Sequence, residues 1–443
     1  MFVDGFDLDA VAAVTGLDRR AATHHIEALR AKSLVVRADR AKVTRFRLLE
    51  TVKAYAEDRL VDAVEAGAVR NRHLGHFHAL AMAEGLKVAG SLDVGLRLRH
   101  DCSNITTAFE WAAEHDRWIM AGELLTGSQC AYQLEGRMID HARALARTAT
   151  HTVELDDDLH GCVSFQRFYQ AVTLTDFGTV LAVAGELRRS PLPVFRSIGL
   201  AATGFVSTYV RPGSADELLT RAEAELSTSA GSAALRSDAA VVATGIPLWA
   251  RSTDAFYDGK FEQARDLALE LVRSLARTTH LVEGVCAQSL AEVLLGQPAQ
   301  ALVTVAQLDE LDLTINDGND VRALAHLALG DIDTAVGFLR RFATRAALGV
   351  LPSESNDAML LLASLALHQG DDAAARAYLL DAGSARLPST RGLSRHLARQ
   401  LGVADEHAAD IAALYHPDSP HGPMGATRSM KALRAELARR GWT

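Results

Sequence analysis

Apolar residues recur at helical spacing near the start of the chain, and then the period changes. Leu8, Val11 and Ala12 open a short amphipathic segment, with Asp7 placed to cap it. Thr15-Gly16 predicts a turn. Asp18 is placed to cap a second helix in which Ala22, Ile26 and Leu29 form the apolar stripe. Ser33-Leu34-Val35-Val36 is β-prone and 38–42 is a polar turn. Val43 to Leu48 then alternates, imperfectly, between apolar and polar. A third helix is expected from Glu50, with Leu49, Val52, Ala56 and Leu60 on one stripe. Helix, helix, hairpin, helix within residues 1–66 predicts a small winged helix.

From residue 67 onward the pattern is helical, with a faint repeat. Gly259, Gly296, Gly330 and Gly370 each have an alanine five residues later: Ala264, Ala301, Ala335 and Ala375. The spacings are 37, 34 and 40. A small residue stands seven positions before each glycine, at Ser252, Ser289, Ala323 and Ala363. An apolar one stands nine after, at Ala268, Val305, Leu339 and Leu379. The glycine lets the chain turn between two helices of a hairpin, and the small residues let those helices approach. This is tetratricopeptide logic. Gly136 and Gly213 suggest earlier turns, with the register broken by His141 and Leu218 at the alanine position. The fold class expected is mainly α: a winged helix over 1–66, a tetratricopeptide-like α-α superhelix over 67–416, and a linker with a C-terminal helix over 417–443.

Composition adds two constraints. The 443 residues carry a net charge of −9, and 49% are hydrophobic. A nucleic-acid coat protein would be basic, and a disordered chain would be poorer in apolar residues. Residues 1–55 hold ten basic and seven acidic side chains, a net +3 that leaves −12 for the rest. No apolar run is long enough to cross a bilayer, the best being Ala239–Ala250 with Pro247 inside it. Residues 1–15 have no basic stretch of the kind that opens a secretory signal. The four cysteines lie far apart and form no CxxC pair. The expected compartment is the cytoplasm, with no membrane partner.

Phe46-Arg47-Leu48-Leu49-Glu50-Thr51-Val52-Lys53-Ala54-Tyr55-Ala56 resembles a segment of large actinobacterial regulators of the signal-transduction ATPase class, which are similar to NB-ARC ATPases. The stretches Phe2 to Ala10, Arg72 to Phe77 and Arg99 to Trp111 carry the same resemblance, which spans about residues 1–145. It implies the order P-loop ATPase, winged helix, helical array, in many members with a C-terminal LuxR-type domain and in some with an N-terminal nucleotide cyclase. Here there is no GxxxxGK[ST], and Leu48-Leu49-Glu50 stands where relatives have a Met-His-Asp nucleotide sensor. Residues 417–426 read as a linker and 427–440 as one basic helix, without a LuxR-like helix-turn-helix. The expectation is the relay and sensor portion of a longer machine: a naturally shortened paralogue, a truncated reading frame, or a piece whose ATPase domain is encoded separately and acts in trans.

The function expected is therefore non-catalytic: a regulatory and interaction module whose array binds a protein or peptide. The runner-up is a stand-alone DNA-binding regulator. There the second helix would enter the major groove with Arg19, Arg20, His24, His25 and Arg30, and Arg40, Lys42 and Arg45 of the wing would touch phosphates. The same basic residues would otherwise contact a neighbouring domain. A third reading is the C-terminal part of a nucleotide cyclase fusion. Neither HExxH nor GxSxG occurs. His73, His76 and His78 cluster on one predicted helix, but only His73 and His76 share a face, and a metal site there would need a third ligand. No metal, cofactor or catalytic residue is assigned.

Overall fold

A computed structural model describes residues 1–3, 5–38, 44–173, 176–210, 214–228, 235–275, 277–278, 280–311, 318–349 and 352–381. The predicted linker and C-terminal helix, the array beyond 381, Gly213, Arg40 and Lys42 lie outside them. The chain divides into two compact units, Met1–Gln166 with Ala234–Asp238, and Arg167–Ala233 with Ala239–Thr443. The expected boundary at 66 thus falls inside the first unit.

The winged helix runs α1 (Leu8–Thr15), α2 (Arg19–Ala31), β1 (Val35–Arg37), β2 (Phe46–Leu48) and α3 (Glu50–Asp62). Asp7 caps α1 by accepting from the Ala10 amide at 2.7 Å, and Asp18 caps α2 through the Ala21 amide at 2.8 Å. Gly16 closes α1 at φ +75°, a left-handed conformation that glycine adopts without steric cost. The strands pair antiparallel with Val35 opposite Leu48 and Arg37 opposite Phe46. Phe6 bridges to Phe46, and Phe6, Ala10, Val11, Ala22, Ile26, Val35 and Phe46 form the small core. The third helix starts at Glu50, as its apolar stripe predicts. None of the described α3 residues is buried, and Leu49 and Tyr55 are exposed. Its apolar stripe is only half covered.

In the same unit follow α4 (Ala66–Ala81), α5 (Leu92–Leu98), α6 (Cys102–Glu114), α7 (Trp118–Leu134) and α8 (Met138–Thr148). α7 is the axis of this unit, packing against α4, α5, α6 and α8 and buried from Ala121 to Leu134. Its glycine permits a close crossing, because a Cβ at Gly127 would lie 2.3 Å from the Ala81 carbonyl oxygen. Next comes α9 (Asp157–Thr173), which Asp156 caps through the Leu159 amide at 2.8 Å.

The second unit continues with α10 (Phe177–Leu187), α11 (Pro193–Val210), α12 (Asp216–Thr228), α13 (Ala239–Tyr257), α14 (Phe261–Ser274), α15 (Leu281–Leu294), α16 (Pro298–Val305), α17 (Asn319–Leu329), α18 (Ile332–Gly349), α19 (Pro352–His368) and α20 (Asp372–Asp381). From α12 to α20 each helix packs on the next, and α13 also meets α15, as α15 meets α17. Nearest-neighbour stacking of hairpins, with like helices also touching, is the geometry of a helical repeat array. The molecule is therefore mainly α, a winged helix followed by stacked helical hairpins. No described helix is long and apolar enough to cross a membrane.

Candidate partner and nucleic-acid interface

The outward face of α2 follows from its inward one. Ala22 and Ile26 point into the winged-helix core, one turn apart. That leaves Arg19, Arg20, His24, His25 and Arg30 exposed, joined by Lys32 just past the helix end. Arg19 is paired with Asp9, and Glu27 lies on the same exposed surface, so the face is basic but partly offset. The hairpin adds exposed Arg37, whose Nη2 donates to Thr44 Oγ1 at 3.1 Å, and exposed Arg47.

Arg45 is not on that face. It is 4% exposed, turned away from solvent toward the turn that precedes α6. Its Nη1 donates to Asp101 Oδ2 at 3.0 Å and its Nη2 to Asp101 Oδ1 at 2.6 Å, a two-pronged ion pair. Nη2 also donates to the carbonyls of Gly5 at 3.1 Å and His100 at 3.2 Å. Asn104, fully buried in α6, completes the network. Its Nδ2 donates to Asp101 Oδ1 at 2.7 Å and to the Gly5 carbonyl at 2.9 Å, and its Oδ1 accepts from the Val3 amide at 2.7 Å. This geometry leaves Arg45 no surface for a DNA phosphate; it is a contact between the wing and the helical bundle. A second tie comes from Arg72 of α4, whose Nε donates to the Val14 carbonyl at the end of α1, at 2.6 Å. Next to the Asp101 turn, Glu135 accepts from Arg99 Nε at 3.1 Å and lies 3.2 Å from His100 Nδ1.

Sequence reasoning missed a further cluster. Arg236 bridges Glu123 at 2.7 Å and Asp156 at 2.7 Å, and Glu123 Oε2 lies 2.8 Å from His78 Nε2. Asp158, only 8% exposed, accepts from the amides of Arg236 and Ser237 at 2.7 and 3.0 Å. These partners lie far apart in sequence, so no local motif marks them.

In the array, Gly259, Gly296, Gly330 and Gly370 adopt φ of +76°, +76°, +85° and +78°. At each, the glycine amide and the one after it bond back into the preceding helix, as Gly296 does to Val293 and Gln297 to Glu292. Ala264, Ala301, Ala335 and Ala375 are each 2% exposed or less, as are Ser252, Ser289, Ala323 and Ala363. Ser252 Oγ donates to the Ala264 carbonyl across the hairpin at 2.9 Å. Gly136 makes the same turn, at φ +69°, although His141 stands at the alanine position. That ring is fully buried, stacks on Tyr132 at 4.8 Å and lies 3.1 Å from the Leu125 carbonyl. Burial pushes its pKa down to about 4.

The histidine cluster in α4 is dispersed. His73 is buried, His76 lies edge-on to Phe77, and His78 faces Glu123. No group of three metal-ligating side chains is assembled among the described residues. The cysteines are unbridged, with Cys102, Cys130 and Cys162 buried; burial pushes the Cys102 thiol up to about 12, far from a nucleophile's range.

Comparison with known proteins agrees with the N-terminal architecture. The profile of a winged helix-turn-helix domain matches residues 1–61. HTH-type transcriptional regulators of Mycobacterium bovis and Mycobacterium tuberculosis are 37% identical over 134 residues, which is 29% of this chain and 15% of each relative. The chain therefore spans a small part of those relatives' length. Among solved structures, the APC/C hetero-tetramer Cut9-Hcn1 aligns over 89% of this chain and 86% of that one, at 10% identity and a TM-score of 0.28. A score that low carries no structural argument, and the array assignment rests on the helix-to-helix packing described above. The chain carries an N-terminal winged helix-turn-helix domain and is homologous over 134 residues to HTH-type transcriptional regulators.

Proposed function

We propose that the chain is a non-catalytic regulatory module, in which the helical array binds a protein or peptide and the winged helix relays that state. The observation that carries this reading is the buried Arg45–Asp101 pair with Asn104. It ties the wing to the first helices behind it, so that a change in the bundle bears directly on the winged helix. The finer reading is a portion of a signal-transduction ATPase-type transcriptional regulator working in the cytoplasm with its ATPase domain in trans. Its support is the resemblance across residues 1–145 together with the mycobacterial homology.

A second reading has its own observation, the exposed basic face of α2, and makes the chain a DNA-binding regulator in its own right. Fluorescence anisotropy with labelled duplex DNA separates the two. The module reading expects weak, sequence-indifferent binding that vanishes between about 50 and 200 mM salt. Saturable, sequence-selective binding that survives physiological salt and is lost in Arg20→Ala or Arg30→Ala replaces it with the second reading.

A further inference from the structure

Ala234–Asp238 belongs to the first unit, although the chain before and after it belongs to the second. Its place there is set by three consecutive residues. Ser237 forms a parallel bridge with Leu86, in the loop between α4 and α5, and the Asp238 amide donates to the Leu86 carbonyl at 3.2 Å. The Val88 amide donates to Asp238 Oδ1 at 2.7 Å, and Lys87 Nζ lies 3.9 Å from Asp238 Oδ2. The Ser237 amide and hydroxyl both donate to Asp158, the hydroxyl at 2.5 Å. Arg236 donates through Nη1 to Glu123 and through Nη2 to Asp156, each at 2.7 Å, and through its amide to Asp158. The receiving side is part of the folded body: Leu86, Val88, Glu123 and Asp158 are all buried, and Glu123 is held from behind by His78.

These are the contacts by which a folded domain holds a peptide: main-chain pairing supplies affinity, and pockets for successive side chains supply specificity. Each side chain is read by a different group. The guanidinium meets Glu123 and Asp156, the hydroxyl meets Asp158, and the carboxylate meets the Val88 amide and Lys87. The occupant itself adds little to any core. None of residues 235–238 is buried, and Arg236 is exposed. A stretch held by hydrogen bonds and ion pairs alone opens locally more readily than the helices around it. Once it leaves, Asp158 loses three donors and Glu123 loses a cation, both at buried positions, so the open groove favours refilling by a segment that brings the same groups. None of the contacts requires that segment to be covalently part of this chain.

We propose that this groove is a peptide-binding site kept closed by the chain's own Arg236-Ser237-Asp238. It takes from a protein partner a segment of the same chemistry, an arginine, then a hydroxyl residue, then a carboxylate, which displaces the internal one. The site lies in the first unit, so it is independent of what the array binds.

The test uses the full chain and a fluorophore-labelled peptide, acetyl-Leu-Arg-Ser-Asp-Ala-amide, followed by anisotropy. Arg236→Ala with Ser237→Ala vacates the groove and leaves every residue that lines it in place. The peptide is expected to bind this variant saturably with a dissociation constant near 1 mM, and the unaltered chain at least tenfold more weakly, because a groove closed most of the time is open to few peptides. Norleucine in place of the peptide's arginine, or Glu123→Gln added to the vacated variant, is expected to weaken binding about tenfold. If the vacated variant melts early, hydrogen exchange in the unaltered chain decides. There about 10 mM unlabelled peptide is expected to speed exchange of the Arg236 and Ser237 amides about five- to tenfold, as they lose Asp158. A folded vacated variant that does not bind the peptide overturns the proposal and makes the segment a structural clasp only. So does equal binding of the norleucine peptide, equal affinity of the vacated and unaltered chains, or exchange unchanged by the peptide.

Discussion

Arg45→Met is the most informative single change. It leaves a side chain of similar length but removes the two bonds to Asp101 and those to the Gly5 and His100 carbonyls. Asp101 then remains as a carboxylate with 7% exposure, keeping only the Asn104 amide among these partners. Breaking one side of a buried ion pair costs about 3–5 kcal/mol, because the remaining charge is desolvated and uncompensated. Domain stabilities are roughly 5–15 kcal/mol, so the winged helix should open far more often while the chain stays folded. Hydrogen exchange at Phe6 and Phe46 reads this locally, since each amide donates to the other's carbonyl, at 2.9 and 2.8 Å. At 1.4 kcal/mol per tenfold, exchange there should accelerate by about a hundredfold to a few thousandfold. Removing both charges, in Arg45→Met with Asp101→Leu, should restore most of the protection, because the cost lies in the orphaned charge rather than in losing the pair. Less than about tenfold acceleration in Arg45→Met, or a double variant worse than the single one, refutes the claim that this pair fastens the wing to the bundle.

Other changes test other parts of the fold. Gly330→Ala places a Cβ at φ +85° with nothing within 4 Å, so the penalty is backbone strain alone. Urea melts should show a loss of about 1–2 kcal/mol, with Gly330→Asn losing less. Gly127→Ala instead meets the Ala81 carbonyl oxygen at 2.3 Å, and should cost about 1–3 kcal/mol by forcing α4 and α7 apart. Burial depresses His73, His141 and His280 from 6.5 to about 4. The unfolded chain therefore takes up protons that the folded chain does not, and stability should fall as pH drops from about 6.5 toward 4, by roughly 2 kcal/mol per histidine at pH 5. His141→Gln should flatten the slope between chemical melts at pH 7 and pH 5, and an unchanged slope counts against a buried neutral ring.

How much of this was legible in the sequence depends on the range of the interaction. Caps and turns are local, so the roles of Asp7, Asp18 and Gly16 are legible in the sequence itself. The four array glycines share that property, since each must allow a left-handed turn within a few residues of its own helix. The apolar stripe of α3 is legible too, but periodicity reports which side is apolar, not whether anything covers it, and none of the described α3 residues is buried. His141 was read as a break in the repeat because an imidazole looks unlike alanine. Yet the turn at Gly136 needs only the glycine, and Tyr132 gives the larger ring a stacking partner.

Arg45 is the clearest case of a limit that pattern cannot pass. Side chains alternate across a strand, so with Phe46 in the winged-helix core, Arg45 and Arg47 belong to the other side. For an isolated winged helix that side is solvent, and both arginines would belong to a basic wing. Arg47 does remain exposed. At Arg45, the carbonyl of His100 and the carboxylate of Asp101 close over the guanidinium, and both come from more than fifty residues away. The same side chain is thus a phosphate contact or a structural clamp according to a neighbour its own segment does not encode. The net +3 of the first 55 residues counts Arg45 as a free charge. With Arg45 neutralised by Asp101 and Arg19 paired with Asp9, the cation supply facing solvent is thinner than composition implies. That shift favours the winged helix as a relay over the winged helix as a DNA reader. Any DNA affinity it has should therefore rest on Arg20, His24, His25 and Arg30 of α2 rather than on Arg45 of the wing.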